Sequence, residues 1–394
     1  MDSDQRLAVL IAVAQFLFFT AWVVYTTYLK DLLRLAGLDP GWFIWIIVAD
    51  QLVFAVTDTL MGYAADRVER ALGRIGPWLV GVNALSAVGF MLLPQVAAAD
   101  QLPGRGTLLL VLIFLWVGTA SVLRAPPLVL LMKYAAKPRV PGLAALVLVG
   151  LALGGAVSPY LGEILRGLDP RLPFALTGLS LIAATLPLVV LERRRQGEAF
   201  PEPAPEPTRP GRVFALLGGA LVLALGMQLH TAFNVQPQYL RFAEAQHLVW
   251  LLPLFWVGFK LAVFPGAWAA RRWGGDRLLM GAALVGAVAL WGSLQAPNLE
   301  LLILWHLLAG GAWGVIFMAG IGGALGMGRI GHEGLVLGLW FTMLSLAALI
   351  RIGLVAAGTP VKPQPPDWLA QGPWLLWLAG VPVLAYLVWR RRAS

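Results

Sequence analysis

The sequence alternates long apolar segments with short polar connections. Each apolar segment has 18 to 26 residues, and a helix needs about 20 mostly apolar residues to cross a bilayer. The pattern therefore predicts an all-α membrane protein with twelve transmembrane helices. The predicted spans are residues 7–29, 42–65, 77–97, 107–132, 143–164, 173–191, 213–235, 247–270, 277–295, 299–324, 333–358 and 373–390.

The composition excludes several classes of protein. Of the 394 residues, 59% are hydrophobic and 12% are charged, whereas an average soluble domain has about 25% charged residues. So few charges could not cover the surface of a water-soluble protein of this size, and that class is excluded. The chain has no cysteine, which excludes disulfides, thiolate metal sites and a catalytic thiol. It has no Gly-Lys-Ser/Thr phosphate-binding loop, and its four histidines lack metal-ligand spacing. We therefore expect no enzyme activity, no cofactor and no bound metal.

Lysine and arginine residues are unevenly divided between the two sets of loops. If both termini are cytoplasmic, 19 of the 29 basic residues lie in cytoplasmic segments, seven lie in outside loops and three lie within spans. Cytoplasmic loops of membrane proteins carry an excess of Lys and Arg. We therefore expect an integral, multi-pass protein of the bacterial inner membrane with cytoplasmic N- and C-termini. The net charge of +9 then reflects topology, and we expect no nucleic-acid partner.

The longest connection divides the twelve spans into two sets of six. Residues 192–212 contain five prolines and predict an extended cytoplasmic linker without a core. The motif GYAADR at position 62 has a counterpart, GAWAARR, at position 266, and each follows the second span of its set. This repetition predicts two pseudo-symmetric halves, residues 1–191 and 213–394, that face each other across a central cavity.

One loop carries a resemblance to a known family. Residues 58–78 read DTLMGYAADRVERALGRIGPW, which resembles the signature of the glycoside–pentoside–hexuronide cation symporters, the branch of the major facilitator superfamily that includes melibiose permease. The lysophosphatidylcholine carriers of animals are similar in the same loop. The resemblance implies the major facilitator fold and transport by alternating access. The matching positions are Asp58, Gly62, Asp66, Arg67, Gly73, Arg74, Pro77 and Trp78.

The same resemblance implies that part of this loop forms a gate. Gly62 would permit close approach of two helices, and Asp66 would lie near a helix N-terminus or near an arginine of a neighbouring span. Arg67, Gly73 and Arg74 complete the predicted gating loop. Alternatively, the basic residues of the loop only anchor the topology. The second-half copy has Ala270 in place of the acid, so only the first half is predicted to form the gate.

Elsewhere the chain departs from the melibiose permease pattern. Phe54 stands where those symporters have a second aspartate, and Arg124 stands near their acidic residue of the fourth span. An ungapped alignment from His332 places Ser345 at the family lysine, although the surroundings of Arg351 look locally similar to those of that lysine. Because the cation site is incomplete, we expect protons rather than Na⁺ to drive transport.

Charged residues within the spans are candidates for coupling and substrate binding, because a charge in hydrocarbon costs about 2.5–3.5 kcal/mol or more. Asp50 and Asp58 lie on one face of the second helix, about 12 Å apart along its axis. Asp58 and Arg124 lie at similar depth, and we predict that they pair. The pair is either structural or opens on protonation of Asp58 or on binding of an anionic substrate. Asp50, with no partner evident in the sequence, is the predicted proton carrier; alternatively, it only lines a water-filled vestibule.

Further polar and aromatic residues complete the predicted site. His230 is a candidate for coupling, with a hydrogen-bonded packing role as the alternative. The spans contain three cations and only two acids. This excess of positive charge favours anionic or zwitterionic solutes. The predicted substrate-binding residues are Arg124, Lys260, Arg351, Tyr25, Gln228, Asn234 and Trp256.

Together these features predict a secondary active transporter for a small organic solute that is anionic, zwitterionic or amphiphilic and lysolipid-like. We expect H⁺ to be the coupling ion, with Na⁺ as the alternative, and we expect a monomer embedded in the lipid bilayer. One alternative is a non-transporting membrane protein on the same fold that serves assembly or the delivery of pigment or lipid. A sodium-coupled sugar symporter is the other.

Overall fold

The predicted helical fold is confirmed by the computed structural model of the protein, which describes residues 2–135, 137–195, 210–327, 332–359 and 365–392. Within these residues there are twelve helices long and apolar enough to cross a membrane, and no β-strand. In chain order, α1 to α12 comprise Ser3–Leu35, Pro40–Leu72, Gly76–Ala97, Arg105–Tyr134, Val140–Leu165, Arg171–Arg194, Pro210–Tyr239, Ala245–Trp273, Gly275–Gln295, Leu299–Met327, Glu333–Ala356 and Asp367–Trp389.

Several helices continue beyond the apolar segments that predict them, because polar residues can extend a helix outside the hydrocarbon region. The side chain of Asp2 caps α1 by accepting the Gln5 N–H at 2.9 Å. α6 continues to Arg194, into the predicted linker, and α7 begins at Pro210. The two helices therefore overlap the predicted linker 192–212 by three residues at each end. Residues 196–209, most of the predicted linker, lie outside the described residues.

Helix contacts repeat between the first six helices and the last six. α1 packs on α5 and α6, and α7 packs on α11 and α12. α3 packs on α4 and α6, and α9 packs on α10 and α12. Each contact therefore has a counterpart six helices later. The two sets meet mainly through α2 against α11 and α5 against α8, an exchange that a two-fold relation between the sets requires.

Small residues let α5 approach two neighbours closely. A Cβ on Gly150 would overlap the carbonyl of Ala12 in α1, and a Cβ on Gly155 would overlap the ring of Trp256 in α8. In membranes, helices associate closely where such residues remove side-chain bulk. α5 therefore joins the first set of helices to the second, and it holds Trp256 against the centre of the bundle.

Two spans are interrupted near the middle of the bundle. α4 passes through a 3₁₀ turn at Ser121–Leu123 before its helix resumes at Pro126. Proline cannot donate the backbone hydrogen bond that a continuous helix would need. α7 contains a π-helical turn at His230–Asn234. Such irregular turns are frequent at functional sites, and here they place Arg124 and His230.

Contacts between chain-distant residues define the two ends of the bundle. At one end, Asp4 accepts hydrogen bonds from Arg139 and Arg195, both at 2.7 Å, and Glu192 accepts the backbone N–H of Ile75 at 2.9 Å. We call this the basic end. At the other end, the far end, the Tyr28 hydroxyl donates to the carbonyl of Leu165 at 2.6 Å. The assignment of the basic end to the cytoplasm stays a prediction.

Candidate functional site

A cavity of about 260 Å³ lies between the two sets of helices, near the middle of the bundle. Residues of α1, α2, α4 and α5 line it from one side, and residues of α7, α8, α10 and α11 line it from the other. Its polar lining consists of Gln15, Gln51, Arg124, Gln228, Ser345 and Arg351, and its aromatic lining includes Phe18, Phe19, Trp22, Phe54, Trp256, Trp313, Phe317 and Phe341. Few polar groups in an apolar wall are typical of small-molecule sites.

The predicted pair of Asp58 and Arg124 is present beside the cavity. Arg124 Nη1 lies 2.7 Å from Asp58 Oδ2. Ser345 of α11 joins the pair, because its hydroxyl donates to Asp58 Oδ2 at 3.0 Å and accepts from Arg124 Nη1 at 2.9 Å. The carboxylate is fully buried, whereas 16% of the Arg124 side chain is exposed. We call these three residues the ion-pair cluster, and it connects the two halves of the bundle.

The aromatic neighbours of Arg124 account for Phe54, the first departure from the symporter pattern. The guanidinium carbon lies 5.2 Å from the centre of the Phe54 ring and 5.0 Å from that of Phe341. A cation over an aromatic face is stabilised by the electrons of the ring. Phe54 therefore supports the arginine at the position where those symporters have an aspartate, and the cluster contains one carboxylate rather than two.

Asp50 has a partner that the sequence does not reveal. The Tyr25 hydroxyl donates to Asp50 Oδ2 at 2.8 Å, and both residues are fully buried. Tyr25 also packs against the Trp22 and Trp116 rings, at centroid distances of 5.5 and 4.7 Å. Neither Asp50 nor Tyr25 lines the cavity. The carboxylate of Asp50 holds Tyr25 behind the cavity wall in this conformation, and the contact of Tyr25 with substrate stays a prediction.

Three other predicted binding residues do line the cavity: Gln228, Trp256 and Arg351. Arg351 Nε is buried without a hydrogen-bond partner, and within the described residues its guanidinium forms no ion pair. Arg351 follows Ser345 by six residues, so it lies about 9 Å further along α11, towards the far end. The cavity therefore has a paired arginine near its middle and an unpaired arginine nearer the far end.

The remaining predicted residues lie elsewhere. Lys260 is exposed on the face of α8 that also presents Val257 and Leu261, away from the cavity wall, and its role in substrate binding stays a prediction. Apolar residues occur all around this helix, and its rotation cannot be read from its sequence. Asn234 donates to the carbonyl of Ala370 at 3.0 Å and is likewise absent from the cavity wall.

His230 is also buried away from the cavity, in the second half of the bundle. Its ring lies 5.2 Å from that of His306, and His306 Nε2 lies 3.0 Å from Gln238 Oε1. The surroundings of His230 are thus a polar cluster of α7 and α10. The coupling role of His230 stays a prediction.

Three polar residues of the cavity were not predicted as site residues: Gln15, Gln51 and Ser345. The Gln15 amide donates to the carbonyl of Leu123, at the 3₁₀ turn of α4. Each glutamine interrupts a long apolar segment, and this interruption is the sequence signal that identifies it. Ser345 carries no such signal, because serine is common where membrane helices pack closely.

At the basic end, the predicted gate connects α2 with α11. Asp66 Oδ1 and Oδ2 accept the backbone N–H groups of Gly334 at 2.8 Å and Leu335 at 2.9 Å. These donors belong to the first turn of α11, which lacks intrahelical acceptors and attracts negative charge. A Cβ on Gly62 would overlap the carbonyl of Gly334. The sequence predicts that Asp66 lies near a helix N-terminus or near an arginine of a neighbouring span. In the structure Asp66 contacts a helix N-terminus, that of α11.

Of the other residues of the gating loop, Gly73 and Arg67 contact the first set of helices. Gly73 ends the helix with φ +63°, a conformation that favours glycine, and its carbonyl accepts from Lys133 Nζ at 2.7 Å. Arg67 donates to the Tyr63 hydroxyl at 2.7 Å. Arg74 makes no hydrogen bond within the described part of the chain. Of the gating-loop residues, Gly62 and Asp66 therefore make the contact with the second set of helices.

Comparison with known proteins agrees with this architecture. Residues 11–352 match the family model described as the Major Facilitator Superfamily. No curated protein sequence matches the chain. The match is to the superfamily, and the resemblance of residues 58–78 to the melibiose permease branch stays a prediction.

Several solved structures share the fold across nearly the whole chain. The structure of a bacterial homologue of the iron transporter ferroportin, in an outward-facing state, is 13% identical with a TM-score of 0.74, covering 97% of this chain and 99% of that one. The human organic anion transporter MFSD10 is 14% identical with a TM-score of 0.71, covering 98% and 100%. The Escherichia coli fucose:proton symporter FucP is 13% identical with a TM-score of 0.68, covering 98% and 99%.

At these identities the solved structures establish the fold but no substrate. The family model covers most of the chain, and the twelve spans, the paired halves and the central cavity agree with it. The chain therefore belongs to the Major Facilitator Superfamily.

Proposed function

We propose that this protein is a secondary transporter that moves a small organic anion across the membrane by alternating access, driven by protons. One observation carries the proposal: two arginines from different halves line the cavity, and among the described residues only one of them is paired with a carboxylate. An anion would supply the missing charge beside Arg351. Desolvated positive charge of this kind disfavours a neutral sugar or a cation.

The cavity volume narrows the class of solute. At about 30 Å³ for each water-sized group, a volume of about 260 Å³ holds about nine such groups. The aromatic side chains of the wall suit an apolar body, and the arginines suit a carboxylate, which accepts paired hydrogen bonds from a guanidinium. A compact aromatic or branched monocarboxylate fits this description. A lysolipid-like solute would need a longer apolar site.

The ion-pair cluster supports a coupling mechanism. Protonation of Asp58 would remove its attraction for Arg124, and an anion could then take the place of the carboxylate as the partner of the arginine. Either change weakens the hydrogen bonds of Ser345, which join α11 to α2 and α4.

The predicted gate can respond to a change in the cavity because the ion-pair cluster and the contact of Asp66 both connect α2 with α11. Asp58 and Asp66 are eight residues apart on α2, while Ser345 and Gly334 both lie on α11. Loosening the cavity end of the α2–α11 interface would therefore favour release of Asp66 from the N-terminus of α11. Interfaces of this kind switch between discrete arrangements.

The test is a screen of thermal stability in detergent with benzoate, acetate, an uncharged sugar, an amino acid and a lysolipid, at pH 6 and pH 8, with and without sodium. A ligand at 100 times its Kd adds about 2.7 kcal/mol to stability. We expect benzoate to stabilise the wild type, and Arg351→Gln to remove that effect. Lys260→Gln is the matched control, because it removes a cation from a span without touching the cavity.

Uptake into proteoliposomes then separates transport from binding. We expect an imposed proton gradient to accumulate the stabilising anion without sodium. Sodium-dependent stabilisation by a sugar would replace the proposal with sodium–sugar symport. Binding of no soluble class, together with normal cell function of Arg351→Gln, would favour the alternative role in assembly or in delivery of a pigment or lipid.

A further inference from the structure

A second concave surface lies outside the central cavity, between α1 and α6 near the basic end. Its volume is about 770 Å³, within the range of about 300–1,000 Å³ that ligand sites occupy. The lining is apolar except at one end, where two arginines border it. The lining residues include Val9 and Leu10 of α1 and Leu186, Pro187 and Val190 of α6, with Arg6 and Arg194 at the basic end. We call this surface the α1–α6 groove.

The position of the groove identifies its surroundings. It lies on the outside of a bundle whose helices cross the membrane, and 52% of Leu186 and 51% of Val190 are exposed. Because α1 and α6 begin and end at the basic end, the arginines lie at the end of their spans while the apolar residues extend into the hydrocarbon. A molecule in the groove would therefore have its polar part beside the arginines and its apolar part along the helices.

The two arginines have no anionic partner among the residues that the structure describes. Asp4, the buried acid nearest to Arg6 in sequence, is already bound by Arg139 and Arg195 at 2.7 Å each. Arg195 is directed inward, with 11% of its side chain exposed, whereas Arg194 beside it is exposed. Within the described residues, neither the Arg6 side chain nor the Arg194 side chain makes an ion pair or a hydrogen bond. The described part of the chain therefore supplies no anion to complement these two side chains.

We propose that the α1–α6 groove binds one anionic phospholipid, with Arg6 and Arg194 at its phosphate headgroup and the apolar residues along an acyl chain. Basic pockets between membrane helices bind anionic headgroups in this way. Arginine favours phosphate because its planar group donates two parallel hydrogen bonds. The bound lipid would connect the first turn of α1 to the last turn of α6, near the Asp4–Arg195 ion pair that already links α1 to the end of α6.

The experiment measures lipid binding to the full-length protein by native mass spectrometry. Phosphatidylglycerol and phosphatidylcholine with identical acyl chains are titrated separately, and the affinities for the first bound lipid are compared. We expect the wild type to prefer phosphatidylglycerol. Each arginine near a membrane surface contributes about 1 kcal/mol, or about fivefold, so Arg6→Gln/Arg194→Gln should lower that preference about 25-fold.

Matched variants distinguish this site from general attraction to a basic surface. Arg193→Gln removes an exposed arginine that borders Arg194 but does not line the groove, and it should leave the preference unchanged. Leu186→Trp fills the apolar part, and it should weaken binding of both lipids. Melting temperatures without lipid verify that all variants are folded.

Four results would overturn the proposal. Equal affinity of the wild type for the two lipids would show that the arginines do not select a headgroup. An effect of Arg193→Gln equal to that of Arg194→Gln would assign the preference to the whole basic end. Competition by glycerol 3-phosphate as effective as that by phosphatidylglycerol, or a protein dimer that Leu186→Trp dissociates, would assign the groove to a free phosphate or to a second copy of the chain.

Discussion

The two interfaces that join the halves, α2–α11 and α5–α8, are equivalent in topology but different in chemistry. In α2–α11, Asp66 accepts two backbone hydrogen bonds from α11, the hydroxyls of Thr59 and Thr342 lie 2.7 Å apart, and Ser345 binds Asp58. In α5–α8, the described residues make no side-chain hydrogen bond or ion pair across the interface. That interface consists of small residues and rings, such as Gly155 against Trp256 and Tyr160 near Trp250, with ring centres 5.2 Å apart.

The difference suggests that the two interfaces have different tasks. Hydrogen bonds with a charged partner depend on the state of that partner, so α2–α11 can respond to protonation or to an anion in the cavity. Packing between glycine and aromatic rings has no such dependence and permits small shear movements. We therefore assign gating to α2–α11 and a persistent contact to α5–α8. The absence of an acid at Ala270, the counterpart of Asp66, agrees with this division.

The largest expected effect comes from breaking the ion-pair cluster. Arg124→Gln leaves the carboxylate of Asp58 buried without its cation, and removing one partner of a buried pair costs about 3–5 kcal/mol. We expect the free energy of unfolding in detergent to fall by about this amount at pH 8, with transport lost. Asp58→Asn/Arg124→Gln should recover most of the stability but not the transport. A single variant as stable as the wild type would show that α2–α11 does not depend on this charge.

A smaller stability effect, but the strongest effect on the gate, is expected from Asp66→Ala, which gives α2 the residue of the second-half copy. Hydrogen bonds to a charged group contribute about 1.5–3 kcal/mol. The measurement uses Ala348→Cys, a single thiol in the cavity wall of a chain without cysteine. We expect a membrane-impermeant maleimide applied at the basic end to label it faster when Asp66 is replaced.

Removal of a different acid provides the control for that labelling. Asp31→Ala breaks an exposed pair with Arg34 within α1, far from α11, and should leave the rate unchanged. If Asp66→Ala also leaves it unchanged, the contact of Asp66 with α11 is structural and does not close the basic end.

The third prediction concerns the hydrogen bonds between the halves inside the cavity. Ser345→Ala keeps the Asp58–Arg124 pair and removes both bonds of the hydroxyl, which should lower stability by about 0.5–1.5 kcal/mol. We expect a clear increase in the labelling of Ala348→Cys, because the cavity end of the interface is loosened. Ser158→Ala in α5 is the control, since that hydroxyl bonds only within its own helix, to the carbonyl of Gly155. Equal labelling in both variants would contradict a gating role for Ser345.

The sequence predicts the fold and part of the site for definite physical reasons. A bilayer forces spans of similar length and similar hydrophobicity, so apolar segments locate all twelve helices. The position of a residue within its span also predicts its depth in the membrane. Asp58 and Arg124 have similar predicted depths, and this similarity predicts their pairing. Rotation of a helix about its axis is not readable where every face is apolar, and Lys260 was therefore placed in the cavity although it is exposed on the outer face of α8.

Contacts between chain-distant residues are the other part that the sequence does not contain. Tyr25 is an aromatic residue in an apolar span, and only the packed bundle shows that its hydroxyl is bound to Asp50. Likewise, the resemblance to the melibiose permease branch predicts a gating role for Asp66 but does not say which donor Asp66 contacts. The structure adds the N-terminus of α11, and with it the difference between the two interfaces.

The smallest expected effect belongs to the α5–α8 interface and decides whether the two interfaces really differ. Tyr160→Leu removes the ring that contacts Trp250. Aromatic pairs contribute about 0.5–1.5 kcal/mol, and because 68% of Trp250 is exposed we expect a loss at the lower end of that range. Labelling of Ala348→Cys from the basic end should not change, because the α5–α8 contacts do not depend on the charges in the cavity and are not assigned to the gate. If Tyr160→Leu accelerates labelling as much as Asp66→Ala does, the two interfaces open together, and the gate cannot be assigned to α2–α11 alone.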